Sequence, residues 1–151
     1  MEVYRISRSK YANDLSGEGA RLYGGRWNRP GLSALYTSQS RALALLELIV
    51  HFNSADALRL DYEFLSLNIE DSMIVSLCEE AKGYEAQNKI FPFREKTEVL
   101  FLEQQVLAIK VPSVIIPQEC NIIINPIHHW MNSLKILKTE RVVIDKRLRP
   151  D

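Results

Sequence analysis

Three apolar, β-branched runs crowd into residues 106–126: VLAIKV, SVIIP and NIIINP. Val and Ile at this density suit a pleated, half-buried surface, and the prolines and asparagines between the runs cut the stretch into separate short strands. A chain that ends this way must build a sheet. Upstream the signals differ. SRALALLELIVHF (40–52) is the clearest helix, with Ser38 or Ser40 as N-cap, and REKTEVLFLEQQ (94–105) can start a second. EVYRIS (2–7), LSALYTS (32–38), DYEFLSLNI (61–69) and ERVVID (140–145) read as further strands, whereas SMIVSLCEEAKGYEAQ (72–87) is ambiguous. Residues 13–31 hold five of the six glycines and read mostly as loop. Helices sit mainly in the first two thirds and strands dominate the end, which predicts an α+β fold over a βαβ parallel one. No repeat, low-complexity segment or Gly/Ser/Pro-rich linker divides the chain, so residues 1–151 form a single domain.

Charge excludes whole classes of function. Lys plus Arg number 19 and Asp plus Glu number 19, so broad attraction to nucleic acid or to an anionic membrane is not expected, although a local basic pocket is compatible. No apolar run approaches the roughly 20 residues that span a bilayer, and MEVYRISRSKY lacks a signal-peptide core. Cys78 and Cys120 stand apart with no CxxC spacing, so a reduced, cytoplasmic location is the simplest reading. HExxH and cysteine-cluster patterns are missing. The adjacent His128 and His129 would face opposite ways on a strand, which argues against a metal site.

Three constellations carry chemistry. At 100° per residue the 40–52 helix is apolar on nearly all sides, as buried helices are, and only Ser40, Glu47 and His51 form a narrow polar strip. Glu47 is then a carboxylate on the rim of a core, needing a partner or a ligand; the plainer reading is an exposed Glu47–His51 pair. The second constellation is GEGARLYGGRWNRPG (17–31). Its glycines admit close approach to the main chain and Arg26 offers a planar fork for phosphate or carboxylate. Its spacing matches neither G-x-G-x-x-G nor a P-loop, and the plainer reading is a surface loop anchored by Trp27. The third is VPSVIIPQECNIIINPIHH (111–129), where alternation sets Ile122 and Ile124 on one face and Asn121, Ile123 and Asn125 on the other. Those two amides can fix a buried turn or bind a ligand. Ser113 reads first as a strand-end hydroxyl bonded to backbone, and no G-x-S-x-G elbow makes it a hydrolase nucleophile.

Together, GEGARLYGGRWNRPG, ALYTSQSRALALLELIVH, VPSVIIPQECNIIINPIH and IDKRL resemble the RES domain family, named for its Arg, Glu and Ser. The resemblance is most specific in residues 17–51 and 112–129. It is weakest in residues 79–105, where FPFREKTEVLFLEQQ replaces the family's tryptophan-containing pattern. It implies an ADP-ribosyltransferase-like mixed β core with flanking helices. It also implies an enzyme that destroys NAD by hydrolysis or phosphorolysis, or one that transfers ADP-ribose to a protein. Carried over by position, the family Arg is Arg26, the Tyr is Tyr36, the Glu is Glu47 and the Ser is Ser113. Arg5 matches a basic position near the pocket, and Arg5, Gly25, Arg26, Tyr36 and Asn121 are the residues expected to bind NAD. NAD would be substrate, with no prosthetic group and no metal. The implied partner is an Xre-type helix-turn-helix antitoxin, with this chain making no direct contact to nucleic acid and homo-oligomerisation inside that complex left open.

The implied chemistry suits these residue types. Breaking the ribose–nicotinamide bond releases a neutral leaving group and needs no general acid, while the ribose becomes oxocarbenium-like. Glu47 would stabilise that cation and hold a ribose hydroxyl. Arg26 would grip the pyrophosphate, with Gly24 and Gly25 leaving room. Tyr36 would pack on nicotinamide or ribose, and Ser113 would hydrogen-bond the nicotinamide amide or the ribose. A catalytically silent NAD-binding module is the remaining alternative.

Overall fold

The computed structural model describes residues 1–52, 60–82 and 91–148. Its strands are β1 (Glu2–Arg8), β2 (Leu35–Ser38), β3 (Tyr62–Asn68), β4 (Ile74–Ser76), β5 (Ala108–Pro112), β6 (Cys120–Ile124) and β7 (Lys135–Val142). Its helices are α1 (Glu18–Tyr23), α2 (Arg41–Ile49), α3 (Cys78–Ala81) and α4 (Phe91–Leu102). The strands make one seven-stranded sheet in the order β4-β5-β6-β2-β1-β3-β7. The β4–β5 pair is parallel and the other neighbours run antiparallel. The fold is α+β, as expected.

The period of two in NIIIN divides the core. Ile122 and Ile124 pack with Val3, Leu35, Leu65 and Leu67 on one face of the sheet. Ile123 packs on the other face with Trp27, Leu32, Ile109, Val111, Phe93 and Phe101. That second face carries the site. Phe93, Thr97 and Phe101 are the buried stripe of α4, four residues apart as a helix requires. Asn125 takes the turn-fixing role of the two amides: its Nδ2 donates to the Phe101 carbonyl and its Oδ1 accepts from the Ile127 N–H.

The structure corrects several sequence expectations. SVIIP is not a strand. The Ser113 Oγ accepts from the Ile115 and Ile116 N–H groups and curls the segment into a turn, the local bonding that competes with a ladder. The glycine-rich stretch contains α1, capped by left-handed Gly17 and ended at Gly24, whose N–H reaches the Ala20 carbonyl. The last strand runs Lys135–Val142, beginning five residues before ERVVID and stopping short of its end. The ambiguous stretch becomes β4 and α3, and its residues 83–87 lie outside the described ones.

Helix α2 is less buried than its composition suggests: within it Leu43 and Ala44 are buried, and Val50, which caps its C-terminal end, is 56% exposed. The reason is that Glu47, Leu48, Val50 and His51 border cavities. Cys78 and Cys120, far apart in sequence, are free thiols with their sulfurs 3.1 Å apart. His128 and His129 do not point opposite ways. They lie in a turn after β6 with stacked rings, centroids 4.3 Å apart. The Nδ1 of His128 accepts from the Trp130 N–H, so its Nε2 donates to the Gln104 carbonyl.

Candidate active site

Helix α2 begins at Ser40, whose Oγ accepts from the Leu43 N–H; a cap of this kind is worth about 1 kcal/mol. The helix lies against β1 and β2, and its second turn brings Glu47 to the ends of β5 and β6. There the Ser113 Oγ donates to Glu47 Oε1 at 2.9 Å, and Asn121 Nδ2 donates to the same oxygen at 2.6 Å. Asn121 is itself oriented, because its Oδ1 accepts from the Ser38 hydroxyl at 2.7 Å and Ser38 stands opposite it in the β2–β6 register. Three residues from three segments, Ser113, Asn121 and Ser38, thus fix one carboxylate. Both donors land on Oε1, and among the described residues none donates to Oε2. Glu47 is paired this way and not with His51. The Ser113 hydroxyl accepts from backbone, as its first reading had it, and gives its one proton to Glu47.

Glu47 and Asn121 line a cavity of about 1000 Å³. The opposite contribution comes from the loop after α1: Gly24, Gly25, Arg26 and Trp27, with Tyr36 of β2 and Arg94 of α4. Trp27 is 2% exposed and meets Phe93 edge-on at 5.9 Å, so it anchors the loop as the plainer reading proposed. Anchoring and lining coexist, because Arg26, next in sequence, borders the cavity.

The Tyr36 hydroxyl ties the loop to the sheet. It accepts from the Trp27 N–H at 3.1 Å and donates to Asn28 Oδ1 at 2.7 Å. Asn28 is fully buried, and its Nδ2 donates to the Ala20 and Leu32 carbonyls, both at 2.9 Å. Burial pushes the Tyr36 phenol up to about 12, against the opposing pull of the Trp27 N–H and the charges of Arg94 and Arg26. The phenol therefore stays protonated at neutral pH and can donate. Gly25 has a reason inside the protein as well as toward a ligand: a Cβ there would sit 2.3 Å from the Tyr36 hydroxyl.

Arg5 lies with Tyr36, Glu47 and Asn121 on a smaller adjoining cavity of about 260 Å³. Its Nη1 donates to the carbonyls of Tyr11, Ala12 and Asp14, and burial holds its guanidinium below the usual arginine value, with Asp14 countering. Arg26, Tyr36, Glu47, Asn121 and Gly25 share the large cavity, and Ser113 reaches it through Glu47. Sequence reasoning missed Asn28 and Arg94. Asn28 was in plain view after GGRW, but a polar residue in a polar loop gives no periodic signal of burial.

Residues 2–145 match the RES domain family, and the chain belongs to that family. Its relatives include the Prs ADP-ribosylating toxin of Sphingobium sp. (strain YBL2), 33% identical over 94% of this chain and 91% of that protein. Toxin Res of Photorhabdus laumondii is 37% identical over 91% of this chain and 92% of its own length. Toxin Res of Yersinia enterocolitica is 32% identical over 99% of this chain and 100% of its own length. The fold is shared with a chain in the crystal structure of the M. tuberculosis MbcT–MbcA toxin–antitoxin complex, with TM-score 0.76 and 21% identity, covering 93% of this chain and 83% of that one.

Proposed function

We propose that this chain is the toxin of a toxin–antitoxin pair and cleaves the nicotinamide–ribose bond of NAD in the cytoplasm. The observation that carries the reading is Glu47, held through one oxygen by Ser113 and Asn121, in the same cavity as Arg26. A cavity with a carboxylate on one element and guanidiniums on others suits a ligand that is cationic at one end and anionic in the middle. NAD has that distribution of charge.

In this reading Ser113 and Asn121 orient Glu47, and its Oε2 meets the ribose as positive charge develops there. A carboxylate already fixed by two donors does not have to reorganise as the bond breaks, which is the source of electrostatic rate enhancement. Nicotinamide leaves neutral, so no described residue needs to protonate it. Arg26 holds phosphate oxygens by charge-assisted bonds. Tyr36 has its hydroxyl committed to Trp27 and Asn28, so it offers a ring face rather than a proton. Water or inorganic phosphate then takes the ribosyl cation. Transfer of ADP-ribose to a protein is the second reading, favoured by the name of the Sphingobium relative.

Purified wild-type chain should release nicotinamide from labelled NAD. Label on free ADP-ribose or its phosphorylated form supports cleavage, and label on protein supports transfer. Glu47→Gln keeps size and hydrogen bonds but removes the charge, and should slow nicotinamide release by roughly 10²–10³ with folding preserved. Wild-type turnover in a folded Glu47→Gln would sink the assignment.

A further inference from the structure

Arg94 has no part in the chemistry above, yet it lines the same cavity as Arg26 and Glu47. It comes from α4. Two contacts fix its place. Trp27 and Phe93 pack edge-on at 5.9 Å, and each is the sequence neighbour of one arginine, Arg26 and Arg94. Arg94 Nε then donates to the Arg26 carbonyl at 2.9 Å. The loop and the helix are thereby locked so that two guanidiniums share one wall.

Such an arrangement is costly without an anion, because like charges repel. Five arginines elsewhere are paired with carboxylates, Arg21 with Glu18, Arg29 with Glu95, Arg41 with Glu140, Arg141 with Asp61 and Arg147 with Asp145, and Arg5 donates to three backbone carbonyls. Among the described residues no carboxylate lies within ion-pair distance of Arg26 or Arg94. Both charges act on the Tyr36 hydroxyl between the loop and the sheet. Arg94 spends its Nε on backbone, and no described residue accepts from its two Nη groups. Arginine forks of this kind match phosphate oxygens.

We infer that Arg94 is a second phosphate-binding residue, which with Arg26 forms a two-guanidinium clamp selecting ligands with two linked phosphates over those with one. The inference rests on the NAD reading of the same cavity and extends it to a residue outside the Arg, Tyr, Glu and Ser set.

ADP-ribose, which carries the diphosphate but no scissile nicotinamide, is the probe. It is titrated calorimetrically into wild type, Arg94→Ala and Arg94→Lys at low and high salt, with adenosine monophosphate, which also lacks a nicotinamide–ribose bond, as the single-phosphate control. Losing the clamp should weaken ADP-ribose binding roughly 10- to 100-fold and weaken the mononucleotide less. It should also make the affinity less sensitive to salt, because one screened charge is gone. Arg94→Lys should restore the salt sensitivity and part of the affinity. Wild-type affinity in Arg94→Ala overturns the inference. So does weaker binding with full salt sensitivity, which would mark Arg94 as a prop for the Arg26 carbonyl alone. Arg94→Met, retaining the aliphatic stem, serves the same comparison if Arg94→Ala loses its cooperative unfolding. A wild type that neither binds ADP-ribose nor releases nicotinamide brings down the NAD reading itself, an outcome distinct from failure at Arg94.

Discussion

Tyr36 shows how one side chain can be structural and line a site at once. Its hydroxyl satisfies the Trp27 N–H and the Asn28 side chain, two groups that would otherwise be buried without partners. Truncation to Phe should therefore cost about 1–3 kcal/mol, the penalty for orphaned buried polar groups. The phenol titrates at about 12 in the folded chain against an ordinary value of 10.0. The folded state thus prefers the protonated form. Its contribution to stability is complete below pH 10 and is lost as pH rises from 10 to 12; it amounts to on the order of 2–3 kcal/mol. Urea unfolding should show wild-type stability falling faster between pH 10 and 12 than that of Tyr36→Phe. Parallel pH profiles for the two proteins would show that the phenol is not buried as described.

At the scale of elements, the loop between α1 and β2 is held by close packing as much as by hydrogen bonds. A methyl at residue 25 would lie 2.3 Å from the Tyr36 hydroxyl and 2.8 Å from Asn28 Oδ1. Gly25→Ala should destabilise the chain by about 1–3 kcal/mol, as overpacking does. Combined with Tyr36→Phe, which removes the nearest atom, its loss should be smaller than the sum of the two single changes, a coupling measurable in a double-mutant cycle. None of this was legible in the sequence, where the glycines suggested only room for a ligand. What was legible followed burial. The period of two in NIIIN gave both faces of the sheet. The 40–52 pattern gave α2, with Ser40 serving as cap out of the two candidates Ser38 and Ser40, and the ends of β1 and β3 fell close to their expected places. The misses share a cause. Helix α1 sits among glycines and is held partly by an exposed Arg21–Glu18 pair, so no apolar stripe announces it. Strand β7 is an edge strand, mostly exposed, and its pattern had nothing to face. SVIIP has strand composition, but the Ser113 hydroxyl offers its amides a closer acceptor. The site was readable as residue types at family spacings. The hydrogen bonds from Ser113 and Asn121 to Glu47 span 66 and 74 residues, a separation that no local pattern encodes.

For the whole molecule, charge and exposed surface bear on the proposed partner. Formal net charge is zero, so this chain alone should show no salt-dependent DNA binding of the kind phosphate contacts produce. On the proposed function the enzyme would have to be restrained in its own cell, and the cavity mouth is suited to being covered. Tyr23, Val50 and Val114 all line the cavity and are 85%, 56% and 37% exposed. Apolar groups left in water beside a charged site gain by burial against a partner, by roughly 25 cal/mol for each Å² covered. A protein seated there would close the route to Arg26 and Glu47 without touching the catalytic geometry. The purified toxin–antitoxin complex should accordingly neither consume NAD nor bind ADP-ribose, and removing the antitoxin should restore both. Charged substitutions at Val50 or Val114 should weaken the complex while leaving the hydrogen bonds to Glu47 in place. Pull-down of the antitoxin by such variants, alongside calorimetry of the intact complex with ADP-ribose, tests the two halves separately. Undiminished ADP-ribose affinity in the intact complex would refute blockade and require inhibition transmitted from elsewhere on the surface.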